Sequence, residues 1–284
     1  MTIDVVTPMV DDPLLFGAIA AANSISDVYA MGGDPQVALS FVGFPTDELG
    51  LDVLTEVLRG LQEVATECGV AIVGGHTVVD AEPKAGLAVT GVVPAGAIWS
   101  HKAAHAGDWL VLSKALGTGI LVNALKKGDA PEDGAAAAIA SMRRTNRRAK
   151  ELGVLAGVRA ATDVTGFGLL GHLKNLCDAS HVTAELDLAR IPFLPHAREL
   201  AVAGRVPGGS RKNLAWLAPT LDAEGVPEVD RLLLADAQTS GGLLLAAPSE
   251  EAATSLAAAL TAEGHAAAVI GRLLPPRARP LVVR

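Results

Sequence analysis

The sequence predicts an α/β (α+β) protein of two domains, and three observations carry that reading. Its 284 residues are ample to bury two hydrophobic cores. Short β-branched runs alternate with helix-length apolar or amphipathic segments along the chain. A polar stretch with Pro, Gly, Ser and two His, Pro94 to Gly107, separates the halves. We place the division between residues 96 and 97, giving domains 1–96 and 97–284.

The elements follow in order. Thr2 to Thr7 reads as a short strand. Asp12-Pro13 supplies an N-cap and a first-turn proline. Phe16 to Met31 is apolar at helical spacing and stops at Gly32-Gly33. Val37 to Phe44 is a strand, and Leu51 to Cys68 is an amphipathic helix closed by Gly69. Val70 to Val73 reads as a buried strand running into a loop, Gly74-Gly75-His76-Thr77. Leu87 to Val93 completes the first half. The second half opens with a strand at Trp109 to Leu112 and a helix near Ile120 to Lys127. Gly134 to Leu152 reads as one alanine-rich helix. Ala156 to Val164 enters a glycine-rich stretch, Leu169 to Ala179 is helical and Val182 to Leu188 alternates as a strand. After several loops, Gly242 to Ala246, Glu250 to Glu263 and Ala267 to Leu273 read as strand, helix and strand.

Composition narrows the function classes. The formal charge of −8 disfavours bulk nucleic-acid binding. The densest basic run, Arg143 to Lys150, would place Arg143, Arg147 and Lys150 on one helix stripe, read as a solvated face. Two cysteines without a CxxC pair, Cys68 and Cys177, argue against a disulfide framework or a zinc site and fit a reducing cytoplasm. No signal peptide and no membrane-length apolar run stands out, so the expectation is a cytoplasmic protein without nucleic-acid or membrane partners.

Three aspartates stand in apolar company: Asp4 in a strand, Asp27 in a helix, and Asp163 at a strand end. Buried carboxylates are costly unless they are paired or bound to a cation. One alone reads as a cap or an exposed face. Three at element ends, without a Cys–His cluster, point to Mg²⁺ and phosphates. Asn23 lies one turn before Asp27 and shares its face. Gly74-Gly75 could let backbone N–H groups approach an anion, or could be an ordinary turn. Gly166 to Gly171 matches GxGxxG literally. A dinucleotide fingerprint is nonetheless rejected, because Asp163, three residues earlier, would repel a pyrophosphate held by backbone amides. No P-loop and no GxSxG elbow is present, and both cysteines read as buried structural thiols.

Taken together these segments resemble the selenophosphate synthetase (selenide, water dikinase) family. Asn23 to Gly33, Gly74 to Thr77, Thr162 to Leu173 (TDVTGFGLLGHL), Val206 to Gly209 and Gln238 to Leu244 follow the family's motif order. The resemblance implies a fold like aminoimidazole ribonucleotide synthetase, in which the amino-terminal half forms a dimeric barrel and a carboxyl-terminal α/β domain covers the site. It implies a homodimer converting ATP, selenide and water to selenophosphate, AMP and phosphate with Mg²⁺. By motif position, Asp27 and Asp163 would hold the metal, and Asp4 and Asp27 would line the nucleotide phosphates. Gly75, His76 and Thr77 would contact ATP from either subunit, with Asn23 at the same site.

The front departs from the family pattern. Members carry a glycine-rich segment with a catalytic Cys or selenocysteine, a Lys and a further metal-binding Asp. This chain opens at the strand after that motif, so no catalytic residue is assigned within it. The favoured expectation is a member that is inactive or impaired as written. A non-catalytic nucleotide-binding relative and a superfamily enzyme acting on another substrate are the alternatives.

Overall fold

A computed structural model describes residues 1–284. The first half runs β1 (Thr2–Val6), α1 (Pro13–Ala30), β2 (Asp34–Phe44), α2 (Leu51–Glu67), β3 (Ala71–Val79) and β4 (Lys84–Val92). Its strands form an open four-stranded sheet in the order β1-β4-β2-β3. β4 pairs antiparallel with β1 and β2, and β3 pairs parallel with β2.

Asp12 caps α1, its carboxylate accepting from the Leu15 N–H at 2.9 Å, and Pro13 fills the first turn. The helix ends at Gly32, whose φ of +72° suits a residue without Cβ. α1 is buried almost all round because it is packed from several sides. The first sheet and α2 flank it, and elements of the second half press on it too. Its approach to α2 depends on two glycines. A Cβ on Gly17 would lie 2.0 Å from the Val57 carbonyl oxygen, and one on Gly60 would lie 2.0 Å from that of Leu14.

The second half runs β5 (Trp109–Leu112), α3 (Thr118–Leu125), α4 (Glu132–Arg143), α5 (Arg147–Leu155), β6 (Ala160–Asp163), α6 (Gly168–Ser180) and β7 (Thr183–Leu186). It continues with α7 (Ala197–Val202), α8 (Gly208–Leu217), β8 (Leu221–Asp222), α9 (Glu228–Leu234), β9 (Leu243–Ala247), α10 (Glu250–Ala262), β10 (Ala268–Leu274) and β11 (Leu281–Val283). The strands form a seven-stranded sheet in the order β6-β9-β5-β10-β7-β11-β8. Trp99, between the halves, is buried against Gly32 and Gly153 and so ties α1 to α5. No helix is long and apolar enough to cross a membrane.

Two local expectations are corrected. Gly74-Gly75-His76-Thr77 is not a loop but the middle of edge strand β3, in register with Leu39, Ser40, Phe41 and Val42 of β2. The glycine requirement there comes from strand proximity. A Cβ on Gly75 would meet the Ser40 Oγ at 2.2 Å and its carbonyl oxygen at 2.3 Å. Nor is β3 buried, since Val73 is 64% exposed.

The expected single helix over Gly134 to Leu152 is two helices, α4 and α5, with extended backbone at Arg144 (ψ 124°). Thr145 and Asn146 are weak helix formers at the junction, and the break places Asn146 in the interior as the residue before α5. The basic stripe is therefore split. Lys150 is buried and pairs with Asp34 at 2.5 Å, whereas Arg143 pairs with Glu67 and Arg148 with Glu263 near the surface. The GxGxxG match lies between β6 and α6. β6 is an edge strand with only an antiparallel neighbour, β9, which removes the parallel βαβ unit that a dinucleotide fold needs.

Candidate active site

The three aspartates come from three elements that meet where the halves face each other: Asp4 on β1, Asp27 near the end of α1, and Asp163 at the end of β6. A cleft of about 600 Å³ opens there, lined on one side by Thr2, Asp27 and Met31 and on the other by Asp163, Phe167 and His172. Asp4 stands beside it and is held by Asn23, whose Nδ2 donates to Asp4 Oδ2 at 2.5 Å. Asn23 Oδ1 accepts from the Ser240 N–H at 2.8 Å, so this one amide joins both halves. The Thr2 hydroxyl donates to Asp27. On the adjacent face of α1, Ser26 Oγ donates to Asp163 Oδ2 at 2.9 Å.

The electrostatics are those of crowded, partly buried carboxylates. Burial, then the charge of Asp27, pushes the Asp163 carboxyl up to about 6, against the lowering effect of the Ser26 hydrogen bond. The same two causes raise Asp4, and Asn23 opposes them. No Lys or Arg lines the cleft. Of its two imidazoles, His172 is pushed down to about 4 by burial and then by His101, and burial lowers His101. The Thr165 N–H donates to His172 Nε2 at 3.1 Å, which places the ring proton on Nδ1 in the neutral form. Both rings are thus neutral at neutral pH, and the carboxylates dominate the field.

No group of three His, Cys, Asp or Glu side chains converges as a metal cage. A fully protein-ligated ion does not fit this arrangement. Mg²⁺ held by one or two carboxylates, with phosphate and water oxygens completing its shell, does fit. Asp27 and Asp163, both lining the cleft, are the residues placed to contribute.

The charge of Asp163 has a consequence for stability. Its folded-state value lies above the ordinary 3.8, so its contribution is fully present below about pH 3.8 and is lost as pH rises through about 6. The metal-free Asp163→Asn variant is therefore expected to melt at a higher temperature than metal-free wild type at pH 8. The gap should close near pH 4. His172 runs the other way, losing its contribution as pH falls from 6.5 through about 4, but it is common to both proteins. Paired thermal melts across this range check the sign. A variant less stable at pH 8 contradicts it.

Gly75, His76 and Thr77 are not brought to this cleft, since they lie exposed on β3. Cys68 and Cys177 are buried, and burial raises both thiols, that of Cys177 to about 12. Sequence reasoning missed Thr2, Ser26, Asn146 and Lys114. Asn146 Nδ2 donates to Ser26 Oγ at 2.9 Å and to the Gly241 carbonyl at 2.8 Å. Lys114 is buried, and its ammonium donates to the carbonyls of Arg144 at 2.6 Å and Ser240 at 2.7 Å. Burial, then the neighbouring Arg144 charge, pushes it down to about 7, while Asp163 pulls the other way. Ser26 was readable only as one more small residue of α1. Asn146 sits in a basic run with no periodicity signal.

Residues 1–93 match the family model for the AIR synthase related protein, N-terminal domain, and residues 105–280 match that for the C-terminal domain. The chain is 45% identical over 285 aligned residues to a selenide, water dikinase of Carboxydothermus hydrogenoformans, covering 100% of this chain and 82% of the relative. It is 48% identical to that of Myxococcus xanthus, covering 96% and 78%. Among solved structures, the thiamine-monophosphate kinase from Stenotrophomonas maltophilia superposes with a TM-score of 0.75 at 19% identity, covering 99% of this chain and 84% of that one. Hydrogenase maturation protein HypE superposes at 0.73 and 21%, with the same coverage. At these identities the structural likeness shows the fold alone, an AIR synthase-like two-domain α/β architecture. The long, closely related sequences show more: this chain belongs to the selenide, water dikinase family.

Proposed function

We propose that the cleft binds Mg²⁺–ATP for the reaction ATP + selenide + water → selenophosphate + AMP + phosphate. The observation that carries this is the carboxylate set. Asp4, Asp27 and Asp163 repel one another across a cleft that no cationic side chain lines. A triphosphate enters such a field only with a divalent cation, which would offset both charges. Asp27 and Asp163 hold the cation. Asp4, fixed by Asn23, borders the phosphates. Residues 1–96 carry the dimer contacts and two of the three carboxylates, and residues 97–284 close over the cleft and supply Asp163. Two buried free thiols fit a cytoplasmic setting.

The same proposal includes a homodimer. Register places Ile3, Leu39, Phe41 and His76 on the sheet face opposite the helices. Ile3 is 66% and Leu39 49% exposed there. An open sheet with such a face needs a partner sheet, and closure against a second copy would form the dimeric barrel. In the dimer Gly75, His76 and Thr77 would approach nucleotide in the partner's cleft. Sedimentation at micromolar concentration is expected to give a dimer. A folded monomer alone contradicts this part.

For the site itself, calorimetry of ATP into the chain is expected to show binding heat that requires Mg²⁺. Equal binding in EDTA contradicts the reading.

A further inference from the structure

We infer that Asn146 is a positioning residue for the cation site, acting on Asp163 through the hydroxyl of Ser26. This rests on the proposal that Asp163 faces the bound cation.

Gly241 presents a carbonyl, which only accepts, so the amide nitrogen of Asn146 must face it. The second hydrogen of the same nitrogen is donated to Ser26 Oγ at 2.9 Å. The Ser26 oxygen is thereby an acceptor towards Asn146, and its single hydrogen is left for Asp163 Oδ2, also at 2.9 Å. A serine hydroxyl in a helix otherwise rotates freely and often turns back to the preceding turn's carbonyl, as Ser24 does to Ala20. Asn146 removes that choice at Ser26. The Asp163 carboxylate is consequently held at one oxygen, with the other left for the cleft.

The surroundings fit a device that fixes geometry. Asn146 is 1% exposed, and it reaches this place because α4 and α5 are broken at Arg144. Its Oδ1 is buried and accepts from no protein donor, so its fixed contacts are the two that its Nδ2 donates. The buried Lys114 ammonium anchors both flanks, holding the carbonyl of Arg144, two residues before Asn146, and that of Ser240, next to Gly241. Ser240 in turn donates to Asn23, the residue that holds Asp4. One rigid segment of the second half thus orients two of the three carboxylates.

The test is a double-mutant cycle read by calorimetry as the Mg²⁺ concentration giving half-maximal ATP binding. Ser26→Ala and Asn146→Ala are each expected to raise it by about tenfold, the lower end of what outer-shell partners of a metal site cost. The double variant should also raise it by about tenfold rather than about 100-fold, because both changes break one chain of contacts. ATP affinity at saturating Mg²⁺ should stay near wild type in all three. Thermal melts confirm folding, and Asn146→Asp, which keeps the shape but loses both donors, replaces Asn146→Ala if that variant does not fold. Additive effects, or an unchanged Mg²⁺ dependence, overturn the inference. Asp27→Ala separates the two levels. If it leaves Mg²⁺-dependent binding intact, the site reading itself fails. If it abolishes binding while the Ser26 and Asn146 variants behave as wild type, only the positioning role fails.

Discussion

Replacing Asp27 with alanine is expected to remove Mg²⁺-dependent ATP binding, weakening it by at least about 100-fold, or roughly 3 kcal/mol. Asp27 is the acid that the other two feel most, since its charge is the next cause after burial of the raised values of both Asp4 and Asp163. It lines the cleft from the end of α1, braced by the Thr2 hydroxyl. Alanine is a strong helix former, so α1 should persist without the carboxylate. Without that charge, repulsion at the metal-free site falls, and the variant should melt no lower than metal-free wild type. Loss of binding together with retained stability is the signature of a ligand rather than a structural group. Calorimetry at saturating Mg²⁺ decides it, and near-wild-type affinity would remove Asp27 from the site.

The 284-residue chain, supplied with ATP, Mg²⁺ and selenide, is expected to give no selenophosphate signal by phosphorus NMR. Selenide must reach a phosphoryl centre already crowded with negative charge, which calls for a nucleophile or carrier and a cation at the transition state. Neither cysteine can serve as carrier where it stands. Both are buried and raised by burial, Cys177 to about 12, so the thiolate is scarce at neutral pH. The cleft lining has no Lys or Arg, and its two histidines are lowered towards the neutral form. The buried Lys114 is committed to two carbonyls. Clear turnover by these residues contradicts the expectation.

Much of the fold was legible where local chemistry decides. Asp12-Pro13 announced the start of α1, and Gly32 and Gly69 announced two helix ends. Trp109 to Leu112 read as the strand it is. The helices α7 and α9 were not legible, because 6 and 7 residues show too few turns for a period, and α8 was not because it opens on Gly208-Gly209, a helix-breaking pair. The α4–α5 break was passed over because strong helix formers flank Thr145-Asn146, although both are weak helix formers and Asn is a favoured N-cap. At the site, carboxylates in apolar company were conspicuous by their cost, and the structure gathers all three. Ser26, Asn146 and Lys114 act through residues far away in sequence, separated by 137 and 120 positions from Asp163 and Ser26, and by 126 from Ser240. No local pattern signals such partners. Gly74 to Thr77 read as a loop for a related reason, since glycines needed for close strand contact look like glycines of a turn.

Asp27 and Asp163 are proposed to hold the divalent cation of a bound nucleotide between the two halves. The most direct measurement is a crystal structure of the chain grown with Mn²⁺ and a non-hydrolysable ATP analogue, with the anomalous signal of manganese located. A peak is expected in the cleft within coordination distance of carboxylate oxygens of both Asp27 and Asp163, with the analogue's phosphates beside it. A nucleotide-associated manganese peak away from these two residues, or an analogue bound with no metal near them, would contradict it.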